Sequence, residues 1–321
     1  MRVRAFRNIT SASASGRIMI AFTTLAGTVL FLSAAADAQP TPYDVINAAA
    51  RDNAIHATPL RGGITMLEGS GGNIGVLSTP AGALLVDGGI SLSRDKILGA
   101  LRQLRADRPR YLVNTHWHWD HSDGNAWIAG RGAEIVATPG IARRLGQTLR
   151  IEEWGHTFTP VESAARPKRL VSRPTTLRVG DEEVVIRPYE DGHTDGDLFV
   201  YFTKADVLQT GDTFWNGFYP FIDYVAGGNI DGAIRQAEAN VAFARESTLV
   251  IPGHGPVGRR ADLIAFRNML IDVRQRVAAL KSRGMSADQV VAARPTSSHD
   301  GRWGGGVVNG ELFTRLVYRG V

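Results

Sequence analysis

Apolar positions change their period several times along this chain, and each change marks an element. Short runs at 63–67, 73–77 and 83–87, set apart by Gly-rich turns, predict three strands. At 93–104 the spacing becomes helical, with Ile97, Leu98, Leu101 and Leu104 on one face. Strands are predicted at 110–114 and 133–137, and the mixed stretch 141–168 predicts a helix and a loop. A second strand-rich block covers 176–179, 183–188, 198–202 and 207–209, with turns at Gly180-Asp181 and Lys204-Ala205. Helical patterns return at 230–246, 261–282 and 286–293, with a short apolar run at 248–251 between the first two. Residues 39–60 are polar and Pro-containing, a lead-in with a short helix at 43–51. No repeat at a solenoid period is visible. The order predicts an α/β fold, and two sheets packed face to face with helices outside satisfy it.

Composition changes this picture first at the N-terminus. Arg2, Arg4, Arg7 and Arg17 precede an apolar run at 18–32, followed by Ala36-Asp37-Ala38. A basic region, a short apolar stretch and an A-x-A site predict a secretory signal peptide over 1–38, cleaved after Ala38. The run is short for a membrane span, which needs ~20 residues, and no cysteine is present for lipidation. The expected product is one domain over 39–321, periplasmic or secreted, without a stable membrane anchor. The whole chain carries 36 basic and 31 acidic residues, but four arginines and one acid lie in the leader. The remainder therefore holds 32 against 30, a net +2 that gives no nucleic-acid surface. The expected partner is a small molecule, and the sequence sets no oligomeric state. Without cysteine, an exported protein has no disulfides, and any bound metal has only nitrogen and oxygen protein ligands.

Candidate chemistry concentrates at 115–125, Thr-His-Trp-His-Trp-Asp-His-Ser-Asp-Gly-Asn, where His116, His118, Asp120 and His121 fall within six positions. Imidazole suits zinc and iron, and carboxylate adds a hard anionic donor, so the cluster reads as a transition-metal site. It follows the strand predicted at 110–114, and strand ends are where α/β proteins place their chemistry. Three further donors stand at glycine-hinged strand ends: His193 in Gly192-His193-Thr194, Asp212 in Gly211-Asp212-Thr213, and His254 in Pro252-Gly253-His254-Gly255. Glycine lets the backbone turn sharply there.

These four motifs, H-x-H-x-D-H, G-H-T, G-D and P-G-H-G, occur in the order that resembles the metallo-β-lactamase superfamily, and the match spans about residues 64–260. The resemblance implies a four-layer αββα sandwich with a two-metal centre at one edge. It implies two zinc ions per chain, with iron or manganese as other metals suited to the donors. His116, His118 and His193 then hold the first metal, Asp120, His121 and His254 the second, and Asp212 bridges them. This all-His/Asp set looks like that of glyoxalase II and the quorum-quenching lactonases. It departs from the best-known β-lactamase subclass, which has a cysteine at the Asp212 position. Two metals of this kind generate hydroxide near neutral pH for attack on a carbonyl. Asp120 is then the catalytic carboxylate that orients it, and Asp87, in Val86-Asp87-Gly88, is expected to orient a ligand by hydrogen bonding.

The implied activity is exported, zinc-dependent opening of a cyclic amide or ester, with β-lactam as the leading substrate. Lactone or thioester hydrolysis, an iron-dependent persulfide dioxygenase and a non-enzymatic metal-binding module are the alternatives. The aromatic run 214–221 has two readings, a satellite of the core or a wall for substrate. On the second reading Trp215 and Phe218 contact substrate, and Tyr219 or Tyr224 donates to a developing oxyanion. His56, His156 and His299 lack motif context and read as surface or satisfied core histidines. Trp117 and Trp119 read as packing beneath the metals.

Overall fold

Strand alternation decides what each sheet face buries, because successive side chains point to opposite sides. The computed structural model describes residues 40–321; the signal-peptide reading of 1–38 lies outside the described residues. Helix α1 (Pro42–Asp52) comes first, started by Thr41, whose Oγ1 accepts from the Asp44 amide while the Asp44 carboxylate accepts from the Thr41 amide. Strands β1 (His56–Pro59), β2 (Ile64–Glu68), β3 (Ile74–Thr79) and β4 (Gly82–Val86) pair antiparallel in sequence. Helix α2 (Arg94–Gln103) crosses over to β5 (Tyr111–Val113), which lies parallel to β4. Two short helices, α3 (Trp119–Ser122) and α4 (Asn125–Ala129), lead to β6 (Glu134–Ala137). Helix α5 (Pro139–Arg144) and a hairpin of β7 (Leu149–Ile151) and β8 (His156–Phe158) precede β9 (Arg169–Leu170), which closes the seven-stranded sheet β1-β2-β3-β4-β5-β6-β9.

The second sheet has the order β10 (Thr175–Val179), β11 (Glu182–Pro188), β12 (Leu198–Phe202), β13 (Val207–Gln209) and β14 (Leu249–Ile251). Helix α6 (Ile230–Phe243) connects β13 to β14, which run parallel. Helices α7 (Arg260–Lys281), α8 (Ala287–Ala292), α9 (Asp300–Trp303) and α10 (Gly310–Gly320) follow. No helix among the described residues is long and apolar enough to cross a membrane.

The two faces of the first sheet enter different cores. Ile64, Met66, Leu77, Leu84, Val86 and Val113 join a central cluster with Val184, Ile186, Val200 and Phe202 of the second sheet. Their chain neighbours Leu67, Val76, Leu85 and Leu112 point the other way and pack with Ile97 and Leu101 of α2. On the far side of the second sheet, Phe199 and Tyr201 meet Phe243 of α6 at ring separations of 4.7 and 4.9 Å. The layers are helix, sheet, sheet, helix, which is the four-layer αββα arrangement. Gln209 crosses between the sheets, its Nε2 donating to the carbonyls of Asn73 and Val86, each at 3.3 Å.

The pattern reading missed elements of three kinds, the first being the β7–β8 hairpin in the stretch 141–168 that reads as helix and loop. Strand β1 lies in what reads as a polar lead-in; all four of its residues are exposed and only one edge pairs, so burial leaves no period. The reading also stops at residue 293, whereas α10 buries Phe313, Leu316 and Val317. Leu84 is fully buried between the sheets, so Leu84→Ala should destabilise the fold by about 2–5 kcal/mol. Urea unfolding checks this, the midpoint falling without a change in slope.

Candidate metal centre

The donors enter at the same edge of the sandwich, two from the short helix α3 and the others from loops and turns. The segment after β5 carries His116 and His118 and turns at once into α3, which carries Asp120 and His121. Ser122 holds this turn, its Oγ donating to the carbonyls of Trp117 and His118 at 2.9 and 3.0 Å. His193 sits in the β11–β12 loop, Asp212 in a single 3-10 turn after β13, and His254 just beyond β14. Donor atoms of His116, His118, His193 and Asp212 lie within 4.8 Å of one another, as do those of Asp120, His121 and His254.

Asp212 joins the two groups. Its Oδ2 lies 3.6 Å from His116 Nε2, 3.5 Å from His193 Nε2 and 3.4 Å from His254 Nε2. Its Oδ1 lies 3.0 Å from His121 Nε2. Asp120 Oδ2 is 3.4 Å from His254 Nε2 and 3.7 Å from His121 Nε2. The backbone must come very close for this. A Cβ on Gly253 would stand 2.0 Å from Asp212 Oδ1, and one on Gly72 would stand 2.1 Å from His121 Cε1. Any side chain at either position would displace a donor.

The outward nitrogens are occupied, which aims the inward ones. His193 Nδ1 donates to the Phe221 carbonyl at 2.9 Å. His118 Nε2 meets Asp223 Oδ2 at 3.0 Å, and His121 Nδ1 meets Asp87 Oδ2 at 2.9 Å. His116 Nδ1 meets Thr115 Oγ1 at 3.0 Å, and that hydroxyl donates to Asp87 Oδ2 at 2.8 Å. Asp87 therefore steadies two histidines, one directly and one through Thr115. It follows β4 in the left-handed region, with φ of +66°, a conformation that Asp tolerates better than most residues. Such outer partners set the tautomer and ring orientation of metal-binding histidine.

This donor set fits a cation. His116 Nε2 is buried and has no hydrogen-bond partner, although buried polar atoms are normally satisfied. Burial pushes the His193 imidazolium down to about 4 and, aided by the charge of His121, holds that of His116 well below its usual value. Both rings are thus neutral and have lone pairs to offer. Burial also opposes charge on His121, but Asp212, Asp120 and Asp87 outweigh it and raise its pKa well above the ordinary value. The converse holds for Asp212: burial works against ionisation, and His121, His254 and His116 together keep it ionised. With lone pairs on His116 and His193 and an ionised Asp212 beside them, and with His121 giving up its proton to a cation, the donors suit divalent metal with nitrogen and oxygen preferences.

A cavity of about 360 Å³ opens beside the donors, lined by His118, Asp120, Asp212 and His254. Trp215 and Phe218 line it, as the substrate-wall reading expects, and so do Trp119, Trp154 and Phe221. Trp119 is thus part of the wall as well as packing. The two tyrosines require correction. Tyr219 is fully buried, its hydroxyl meets the Thr296 carbonyl and Asp300 Oδ1 at 3.2 and 3.0 Å, and its ring stacks on Phe313 of α10. Tyr224 lies under the Arg319 guanidinium, 5.1 Å above its ring. Both side chains are committed to the C-terminal helices and cannot reach an oxyanion beside the donors. His156 stacks on Tyr43 at 3.6 Å, away from this cavity.

Asp223 escaped the sequence reading. It is fully buried, and its Oδ2 accepts from Trp117 Nε1 at 3.2 Å as well as meeting His118. Burial opposes its ionisation, but the His118 contact keeps its pKa below the usual value. A carboxylate between Ile222 and Tyr224 in an apolar run was the available signal, since an acid there needs a buried partner.

Comparisons with known proteins agree with this geometry. The family model described as the metallo-beta-lactamase superfamily matches residues 67–256. Hydroxyacylglutathione hydrolase of Rhodospirillum rubrum is 29% identical over 188 residues, 58% of this chain and 62% of that protein. Metallo-beta-lactamase IND-1 of Chryseobacterium indologenes is 23% identical over 140 residues, 44% of this chain and 53% of that protein. The aligned stretch is therefore less than two thirds of either relative's length. A solved metallo-beta-lactamase from Pontibacter korlensis superposes with a TM-score of 0.54 at 18% identity, covering 68% of this chain and 99% of that one. At that identity the likeness is one of fold.

Removing the Asp223 carboxylate frees the outward nitrogen of His118. Asp223→Ala should weaken affinity for a divalent metal by about 10–100-fold, measured by competition with a chromogenic chelator. Tyr224→Phe should leave that affinity within about twofold, because its hydroxyl serves the C-terminal packing.

Proposed function

This chain belongs to the metallo-β-lactamase superfamily, and we propose that it is a two-zinc hydrolase that opens a cyclic amide or ester. The observation that carries this reading is the convergence of seven His and Asp donors from four separate segments, with the buried His116 Nε2 left unpartnered among them. His116, His118 and His193 would hold one ion, Asp120, His121 and His254 the other, and Asp212 would face both. Zinc, when bound, supplies Lewis acidity and brings the ionisation of water into the neutral range.

The chain's own groups do the rest. Asp120, on the cavity wall, orients the attacking water and takes its proton. As the acyl carbon gains that oxygen, its bond to the ring nitrogen or oxygen breaks, and the proton passes from Asp120 to the leaving atom. Asp87 and Asp223 keep the imidazoles aimed throughout. The aromatic wall holds the non-reacting part of the substrate and limits the water around the carbonyl. Among ring classes, β-lactams come first on the sequence reading. The all-His/Asp donor set, with Asp212 between both groups, supports lactones and thioesters as the second reading.

The reading extends to export. We propose that residues 1–38 are removed after Ala38, on the strength of the basic, apolar and Ala-x-Ala segments in the sequence. Full-length protein expressed in a Gram-negative host should appear in the periplasm with Gln39 as its first residue, read by intact mass. A full-length mass in the cytoplasm would sink this part.

Zinc-loaded protein should contain about two ions per chain and turn over at least one of three probes: a cephalosporin, a homoserine lactone or a glutathione thioester. Asp120→Asn should lower kcat by about 10²–10⁴-fold while retaining the native melting profile. Turnover unaffected by Asp120→Asn, or one equivalent of iron with oxygen uptake, would overturn the hydrolytic reading.

A further inference from the structure

Beyond the metal donors, five aromatic rings stand in the cavity wall, among small, aliphatic and uncharged polar residues that include Asn53, Ser70 and Asn73. Trp119, Trp154, Trp215, Phe218 and Phe221 line it, and among the described residues no lysine or arginine does. Apart from Asp120 and Asp212, the acid on this wall is Glu68, the last residue of β2. Glu68 is half-buried, and among the described residues no cation lies within ion-pairing distance of it. The apolar surface continues outward onto Val307, a residue 48% exposed that lines the same cavity.

We propose that the substrate's non-reacting part is apolar and carries no negative charge, with Glu68 as the residue that sets this preference. The inference rests on the hydrolytic reading of the site. An alkyl or aromatic tail gains by leaving water for these rings. A carboxylate tail would lose hydration, find no cation on the wall and face Glu68 as a like charge. A cationic tail would meet the Glu68 carboxylate and the aromatic faces together. Substrates with uncharged tails therefore outrank glutathione thioesters, whose two carboxylates outnumber their one ammonium.

A carboxylate close to the scissile bond can be met by bound metal, so the test places the charge at the far end of the tail. The zinc-loaded protein is assayed with three γ-lactones alike except for that end group: methyl ester, trimethylammonium or carboxylate. The carboxylate should give a kcat/KM about tenfold or more below the methyl ester. Glu68→Gln should remove any advantage of the ammonium, and Glu68→Lys should bring the carboxylate up to the ester. The matching cyclic ethers, whose rings cannot be opened by hydrolysis, are titrated against the fluorescence of the cavity tryptophans and should give the same order in Kd. Lactone turnover with equal values for ester and carboxylate, unmoved by Glu68→Lys, overturns this inference and leaves the hydrolytic reading standing. Ordered ether binding without turnover of any lactone, cephalosporin or thioester does the reverse, overturning the hydrolytic reading and supporting the charge preference.

Discussion

Asp212 is the constraint on which the rest of this structure depends. Its carboxylate is buried and lies within 3.6 Å of nitrogens from His116, His121, His193 and His254. An ionised carboxylate out of water costs several kcal/mol unless opposite charge compensates it. Here His121 supplies opposite charge and His116, His193 and His254 crowd the same carboxylate, four rings from three segments, so no segment can move without disturbing that balance. The backbone accepts the same discipline. Gly253 and Gly72 leave room for the donors where a single added carbon would stand about 2 Å away.

The fold meets this demand by rigidity at a distance. Two sheets bury alternating residues against each other and against helices, so strand ends are fixed and short loops carry little slack. Outer carboxylates then finish the alignment. Asp87 reaches His121 directly and His116 through Thr115, while Asp223 joins His118 to Trp117. The elements flanking the family-matched region complete the cavity: Ile46 comes from α1, and Gly306 and Val307 precede α10. Tyr219 shows the cost of that arrangement, since an aromatic in the ligand-bearing half is spent on anchoring Phe313.

Much of this was legible in the chain because the signals were local. Period-two runs locate the sheet strands that alternate between two cores, and 3.6-residue spacing locates α2, α6 and α7. His116, His118, Asp120 and His121 sit close enough in sequence to declare a metal site, and His193, Asp212 and His254 each stand in a glycine-hinged turn. Among the elements that went unread are β1, for want of a buried face, and α10, despite Leu312, Phe313, Leu316 and Val317 at helical spacing. Strand β1 buries nothing, and α10 lies beyond the last motif that would draw attention to it.

What the sequence determined by itself is the kind of chemistry: donor types, their order along the chain and the layered α/β scaffold follow from residue identity and spacing. Only the tertiary structure decided which aromatic side chains face the site. Trp215 and Phe218 turn into the cavity, whereas Tyr219 and Tyr224, a few residues away, turn to the C-terminal helices. It also decided that Asp223 partners His118 across 105 positions of sequence, and that Glu68 shares a wall with Asp120. The physical reason is the same in each case. A donor motif is written in consecutive residues, but the direction of a side chain from an irregular loop, and the partner that satisfies a buried charge, are set by which distant segments pack against it.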